Sequence, residues 1–327
     1  MKESNRNIVI GFIDNQNIQK ENIPQALKEV DVIPSSKSWY KFIDQILLWF
    51  GVLSLAFAVM FFMAYNWTEL GHFAKFAMVE GLMGLSIGMY IYLGGEKLSA
   101  KATLMGSSIL LGVLLALVGQ TYQTGADPWQ LFFYWAVLML PWAVVGRFSA
   151  MWILWIALIN VAISLYIETF GRLFSFYFYS EGSLIWMFFA FNTFALIVWE
   201  YLKGNFEWLN SSWAIWLLGF VSMMSVTGLA LNSIWESTQS LALFAWLGWL
   251  AMFYWAYRVK RIELFMLSLG ALSFSIVVVN FLINIISWRH FELIAILFIG
   301  MVIIGLGAGF ASWLKSLQKE DQNESAE

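Results

Sequence analysis

The stretch Gly119-Gln120-Thr121-Tyr122-Gln123-Thr124-Gly125-Ala126-Asp127-Pro128-Trp129 separates two long apolar runs and holds most of the polar residues in its neighbourhood. Runs of about 20 apolar residues have the length that a helix needs to cross a hydrocarbon layer roughly 30 Å thick. Only helices or closed barrels satisfy every backbone hydrogen-bonding group inside a bilayer, and these runs are too uniformly apolar for barrel strands. The stretch is therefore predicted to be a hairpin between two membrane-spanning helices.

The composition supports a membrane protein along the whole chain. Hydrophobic residues make up 61% of the sequence and charged residues 12%, whereas a soluble domain is roughly half apolar and a quarter charged. The chain has no cysteine and only two histidines, which excludes disulfides, thiolate chemistry and His-rich metal sites. The net charge of −3 gives no reason to expect nucleic acid. We expect no cofactor.

The order of apolar runs predicts an all-α integral membrane protein, a bundle of about ten transmembrane helices. The predicted domains are a cytoplasmic helical N-terminal segment (1–43), a polytopic membrane domain (44–315) and a disordered cytoplasmic tail (316–327). Within the N-terminal segment, the pattern predicts short helices near residues 6–14 and 24–30. The predicted spans lie at about 45–65, 72–93, 103–122, 129–146, 148–168, 183–202, 212–231, 238–257, 262–284 and 292–314.

The distribution of basic residues predicts the orientation. Of the 18 Lys and Arg residues, only Arg172 and Arg289 fall in odd-numbered loops, and Lys75 lies inside a span. Because cytoplasmic loops carry the excess of Lys and Arg, both termini are predicted to be cytoplasmic. The hairpin at residues 119–129 then faces outward. No cleavable signal peptide is expected, since the first forty or so residues are polar and mixed in charge.

Helix capping explains one half of this hairpin. Gly125 suits a left-handed stop after the third span. Asp127 suits the N-cap of the fourth span, with Pro128 in its first position. Trp129 suits the aromatic belt at the membrane interface.

Capping does not explain Gln120, Tyr122 and Gln123. These side chains gather hydrogen-bonding groups where the third span leaves the lipid, and Gln120 is expected to be partly buried. A plain hairpin and a binding site both remain open. The candidate binding residues are Gln120, Tyr122, Gln123, Asp127, Trp129, Trp67 and Glu69.

Trp67 and Glu69 belong to another outward hairpin, residues 66–71, between the first two spans. Glu69 would favour the positive end of the second helix. If the first four spans pack as neighbouring hairpins, Glu69 and Asp127 would lie on one outer face. Together with the tryptophans they would form a small acidic, aromatic-rimmed site.

The second span carries the deepest charges, Lys75 and Glu80. At about 1.5 Å per residue, Lys75 lies only about 6 Å below the outer end and is expected to snorkel to the headgroups. Glu80 lies about 13 Å deep, near the midplane, and must face the bundle, pair or be protonated. We consider both residues as candidates for proton or ion coupling. A neutral packing role for Glu80 remains the alternative.

Other polar and small residues inside the spans indicate helix packing. Asn160, Asn192 and Asn280 are expected to form interhelical hydrogen bonds, or to serve as partners of Glu80. The glycines of residues 81–88 and 305–309 are expected to pack between helices.

The two polar hairpins also indicate a family. Asn66-Trp67-Thr68-Glu69-Leu70-Gly71 followed by Lys75, then Gly119-Gln120-Thr121-Tyr122 and Gly125-Ala126-Asp127-Pro128-Trp129, resemble the bacterial predicted membrane proteins called domain of unknown function 2157. The resemblance is best over about residues 8–145. It implies a polytopic protein of the bacterial inner membrane and supplies no substrate.

Three functional hypotheses follow. The first is a transporter-like protein, based on ten spans, an outward polar hairpin and Glu80 near the midplane. The second is a non-catalytic module that assembles, senses or stabilises an envelope complex, with residues 1–43 binding a membrane-protein partner. The third is an intramembrane enzyme using Glu69, Asp127 and Glu80. It lacks support because the sequence has no Walker loop, no His-Glu-x-x-His motif and no Gly-x-Ser-x-Gly motif, so we expect no enzyme.

Overall fold

All secondary structure assigned in the protein is helical. A computed structural model describes residues 9, 11–13, 17–29, 34–65, 71–170, 181–236, 240–285 and 292–324. Within these ranges no residue lies in a strand, and nine helices are long and apolar enough to cross a membrane. The predicted all-α membrane class is confirmed.

Ten helical segments follow the predicted spans. Their bounds are α1 Ser36–Tyr65, α2 His72–Leu93, α3 Leu98–Tyr122, α4 Pro128–Leu138 with Leu140–Gly146, α5 Ser149–Phe170, α6 Glu181–Leu202, α7 Ser212–Glu236, α8 Ser240–Tyr254, α9 Leu264–Ile285 and α10 Glu292–Glu324. Only α8 falls short of the usual spanning length, with 15 residues. It continues as a π-helix over Trp255–Val259.

Helix α4 is interrupted at Met139, which the sequence did not predict. Pro141 lies two residues later and has no N–H to donate to the preceding turn. The Met139 N–H still bonds to Trp135 O (2.9 Å), and the Ala143 N–H bonds to Met139 O (3.1 Å). The chain therefore restarts its helix at once.

The chain forms two compact units. Unit A contains residues 42–215, and unit B contains residues 1–41 and 216–327. This division groups residues by contact. The predicted division into soluble and membrane parts concerns their environment, so it stays a prediction.

The core of unit A is built around α3. Its small residues Ser107, Ser108 and Gly112 are buried, as expected for helices that approach closely in lipid. The Trp135 indole of α4 donates to Ser108 O (2.8 Å) and lies where a side chain at Gly112 would be. The Trp142 indole donates to Ser107 Oγ (3.2 Å). Indole hydrogen bonds thus fix α4 against α3.

Two of the three predicted intramembrane asparagines join helices. The Asn160 amide of α5 donates to Asn192 Oδ1 of α6 (3.1 Å), and Asn192 donates back to Asn160 Oδ1 (2.7 Å). This prediction of interhelical bonding is confirmed. Asn280 instead donates to Ile276 O within its own helix (3.0 Å).

Unit B has a buried polar centre at Ser273 of α9. Thr227 of α7 lies 2.7 Å from the Ser273 hydroxyl, and the Trp246 indole of α8 donates to it (3.0 Å). The Trp249 indole bonds to Ser222 Oγ (2.8 Å). These bonds hold α7, α8 and α9 together.

The predicted glycine packing is not found. Nothing lies within 4 Å of a Cβ built at Gly81, Gly84 or Gly88, nor at the glycines of residues 305–309. These stripes lie on exposed faces of α2 and α10, because other faces of those helices make the contacts.

The chain ends also differ in part from the predictions. Helix α10 runs to Glu324, whereas the sequence predicted a disordered tail from residue 316. In the N-terminal segment, a 3₁₀ turn at Lys20–Asn22 leads into the helix Ile23–Glu29, close to the predicted helix at 24–30. Most of the predicted helix at 6–14 lies outside the described residues, and residues 11–13 are helical.

Candidate functional site

The third span ends at Gln123 rather than at Gly125. Gln123 is left-handed, with φ 44° and ψ 49°, and its N–H bonds to Gly119 O. The Thr124 N–H approaches the same carbonyl at 3.4 Å. Gly125 is also left-handed, with φ 64°, so the expected conformation is present two residues after the helix stop.

The backbone of the fourth span begins as predicted, but the side-chain hydrogen bond expected of its N-cap residue is not formed. Asp127 is the N-cap residue, with φ −65° and ψ 149°, and Pro128 follows in the first turn. The Asp127 side chain makes no capping hydrogen bond. The Gln130 N–H bonds instead to Asp127 O (3.0 Å). The Asp127 carboxylate therefore remains available at the hairpin surface.

The hairpin borders an open crevice of about 620 Å³, whose lining combines apolar surface with several polar side chains. Its polar side chains come from both helix ends, and Asp127 is the only residue among them that carries a formal charge at neutral pH. They are Gln120, Gln123, Thr124, Asp127, Gln130 and Tyr134. Among the described residues, the crevice thus offers amide, hydroxyl and carboxylate groups and no cation.

A second, apolar groove of about 540 Å³ lies between α1, α3 and α4. Leu53, Phe57 and Met60 of α1 form one wall, while Ile109 of α3 and Phe132 of α4 belong to the opposite side. The only amide side chain in its lining is that of Gln120. The groove is therefore apolar along its length and polar at one end.

The groove and the crevice meet at Gln120. Both are lined by Ala116, Gln120 and Leu131. Gln120 is exposed rather than partly buried as predicted, because its side of α3 faces these two cavities and no packed helix. We call the combined surface the hairpin groove.

The other predicted hairpin residues do not line the hairpin groove. Tyr122 is 68% exposed, and its ring centroid lies 6.1 Å from that of Phe76. Trp129 packs edge-on against Tyr166 of α5, with centroids 5.1 Å apart. The indole N–H of Trp129 is buried, without a hydrogen-bond partner in the described structure. Both residues contribute to packing at the helix ends.

Trp67 and Glu69 lie outside the described residues. Their predicted proximity to Asp127 and Trp129 stays a prediction.

The two charged residues of α2 differ in burial. Lys75 is only 2% exposed, whereas it was expected to snorkel. Glu80 is exposed, and no described residue forms an ion pair with it. Lys75 and Val79 are one turn apart on the buried face of α2, and Glu80 follows about 100° further around the helix.

Sequence reasoning missed the α1 wall of the hairpin groove. Leu53, Phe57 and Met60 recur at i, i+4 and i+7, which places them on one face. That spacing was a usable signal, but residues 46–65 of α1 are apolar on nearly every face, so the periodicity does not distinguish this face from the others.

These helices and the hairpin groove define a multi-pass helical membrane protein with an amphipathic lateral cavity. Residues 11–152 match the model of the family "Predicted membrane protein (DUF2157)", which confirms the resemblance found in the sequence. The match covers α1 to α4 and hence the whole hairpin. No curated protein and no solved structure matches the chain.

Proposed function

We propose that this protein is a non-catalytic membrane protein that binds a lipid-like amphiphile in the hairpin groove. The observation that carries the proposal is the continuity, through Gln120, of an apolar groove with a crevice that holds several polar side chains. Each cavity falls within the range of about 300–1,000 Å³ that is typical of ligand sites. An acyl chain would occupy the apolar part and a headgroup the polar part.

The crevice favours a headgroup that donates hydrogen bonds. Asp127 accepts only, and the amides of Gln120 and Gln123 both donate and accept. With no Lys or Arg among its described lining residues, the crevice does not attract a bare phosphate. An ammonium or hydroxyl headgroup, as in phosphatidylethanolamine, fits this chemistry.

We further propose the bacterial inner membrane as the location, with both termini cytoplasmic and the hairpin groove in the outer leaflet. The bias of Lys and Arg supports this orientation, and the family resemblance supports a bacterial membrane. The transporter-like hypothesis loses the support of Glu80, because an exposed residue of α2 does not face an internal path.

An assembly role through the N-terminal segment remains a second candidate. No residue of Lys20–Asn22 or Ile23–Glu29 is buried, so both short helices are available to a membrane-protein partner. Loss of co-purification with that partner on deletion of residues 1–33 would support this role. Unchanged co-purification would contradict it.

The test uses a diazirine-bearing phosphatidylethanolamine in phosphatidylcholine nanodiscs, with the labelled peptides identified by mass spectrometry. We expect labelling to concentrate on the groove faces of α1 and α3. Gln120→Leu removes the junction amide and should reduce labelling about fivefold, the effect of one net hydrogen bond. Ala116→Trp fills the junction and should abolish groove labelling.

Ala77→Trp is the matched control, since Ala77 is an exposed alanine of α2 that does not line the hairpin groove. It should leave the labelling pattern unchanged. Each variant must elute as a single species and keep the wild-type melting temperature. Equal labelling of all lipid-facing helices, insensitive to Ala116→Trp, would refute the proposal.

A further inference from the structure

Unit B contains a separate apolar groove of about 300 Å³ between α8, α9 and α10. Its lining includes Leu250 and Tyr254 of α8, Met266 and Gly270 of α9, and Trp313 of α10. None of its lining residues carries a charge. It shares no residue with the hairpin groove.

The groove lies at the end of these helices where basic residues gather. Tyr254 is the last residue of α8, Met266 is near the start of α9, and Trp313 is two residues before Lys315. The connection from α8 to α9 carries Lys260 and Arg261. The bias of basic residues predicts that this end is cytoplasmic.

Two side-chain contacts join α8 and its π-helical extension to α10 beside the groove. The rings of Tyr254 and Trp313 stack with centroids 6.4 Å apart. One turn beyond, Arg258 forms an ion pair with Glu320 at 2.9 Å. The pair occupies the carboxylate of Glu320.

Two basic residues of the connection between α8 and α9 lie next to aromatic rings. Lys260 Nζ lies 4.0 Å from the centroid of the Trp255 ring, and the Arg261 guanidinium lies 5.2 Å from that of Tyr257. Lys260 and Lys315 are exposed. The nearby Glu263 carboxylate already accepts the Trp216 indole N–H (3.0 Å).

We propose that this groove binds an anionic phospholipid, with one acyl chain in the groove and the phosphate at Lys260 and Lys315. Basic pockets between transmembrane helices on the cytoplasmic side recognise anionic headgroups in this way. The apolar lining selects a lipid over a free phosphate. The inference is independent of the hairpin groove, which lies in unit A and has no cation among its described lining residues.

The test is native mass spectrometry of the full-length protein released from phosphatidylcholine nanodiscs that contain phosphatidylglycerol. We expect the wild type to retain phosphatidylglycerol in preference to phosphatidylcholine. The double variant Lys260→Gln/Lys315→Gln should lose that retention by about fivefold per lysine. Lys97→Gln/Lys101→Gln makes the same charge change in unit A and should have no effect.

A groove-filling variant separates a lipid site from a basic surface. A Cβ at Gly270 would lie 3.9 Å from Leu250 Cδ2, so Gly270→Ala fits without a clash and Gly270→Leu extends into the groove. Retention should decrease from wild type to alanine to leucine while the basic residues are unchanged. The alanine variant keeps the test valid if the leucine variant does not fold.

Wild-type retention in the Lys260→Gln/Lys315→Gln variant would overturn the headgroup assignment. Wild-type retention in both Gly270 variants would overturn the groove. An equal loss of phosphatidylglycerol retention in the Lys97→Gln/Lys101→Gln control would show that retention depends on the net positive charge of the protein. That result would also overturn the proposal.

Discussion

The reciprocal amide pair between Asn160 and Asn192 gives the sharpest prediction on stability. The pair forms two interhelical hydrogen bonds of 3.1 and 2.7 Å, and Asn192 is only 1% exposed. Each amide also donates to a carbonyl of its own helix, Ile156 O or Phe188 O. Replacing one asparagine with leucine therefore leaves the other without an interhelical partner but with its local bond.

The expected magnitude follows from the number of bonds lost. Interhelical hydrogen bonds in membranes contribute about 0.6 kcal/mol on average and about 1.7 kcal/mol at most. Two such bonds give a loss of about 1–3 kcal/mol in the free energy of unfolding for Asn160→Leu or Asn192→Leu. The double variant has no unpaired amide, so it should lose at least about 1 kcal/mol less than the sum of the two single losses.

The assay is reversible unfolding by SDS in mixed micelles, with the free energy of unfolding measured for all four members of the cycle. Asn280→Leu is the matched control, because Asn280 donates only to Ile276 O in its own helix among the bonds described. It should change stability by less than about 0.5 kcal/mol. Losses that add to within about 0.3 kcal/mol would refute the coupling between α5 and α6.

The remaining predictions concern local geometry and orientation. In thermal melts, Gly112→Ala should destabilise the protein by about 1–3 kcal/mol through overpacking, since its Cβ would lie 2.6 Å from the Trp135 ring. Gly119→Ala is the matched control. Because nothing lies within 4 Å of a Cβ at Gly119, that variant should be neutral or stabilising. Arg147→Gly should raise the melting temperature, because Arg147 has φ 46° and a left-handed conformation costs a non-glycine residue about 1–2 kcal/mol; a lower melting temperature would contradict this. The chain has no cysteine, so a single introduced cysteine reports the side of the membrane on which it lies. Thr124→Cys should react with an impermeant maleimide in intact cells, while a cysteine added at the C-terminus should react only after permeabilisation. The reverse pattern would overturn the predicted orientation.

The helices were predictable because the length of apolar runs is a direct physical requirement of the bilayer. The bounds of α2, His72–Leu93, match the predicted span. The break in α4 was not predicted, although Pro141 carried the signal. A proline is tolerated inside membrane helices, so its presence alone does not show whether the helix continues straight, bends or restarts.

The site was predictable only in part, because a side chain's depth and its direction are different quantities. Depth follows from residue number along the helix, and it placed Gln120 correctly at the end of α3. Direction depends on the rotation of each helix, which packing decides. The helix stop of α3 is a second example. Glycine is the usual left-handed residue at a helix end, so the sequence favoured Gly125, and nothing in it indicated that Gln123 would take this conformation.

Lys75 and Glu80 show why rotation matters more for function than depth in this protein. A helix that is apolar all round gives no amphipathic pattern from which its inner face can be read. The sequence left three states open for Glu80, which were facing the bundle, pairing or being protonated, and the structure shows its side chain exposed. Small residues are no better a guide on their own, because they mark the packed face of α3 but the exposed faces of α2 and α10. A cavity lined from several helices supplies the missing information, because its lining fixes the rotation of each helix at once. For that reason the hairpin groove, and not the deepest charge, is the better basis for assigning a ligand.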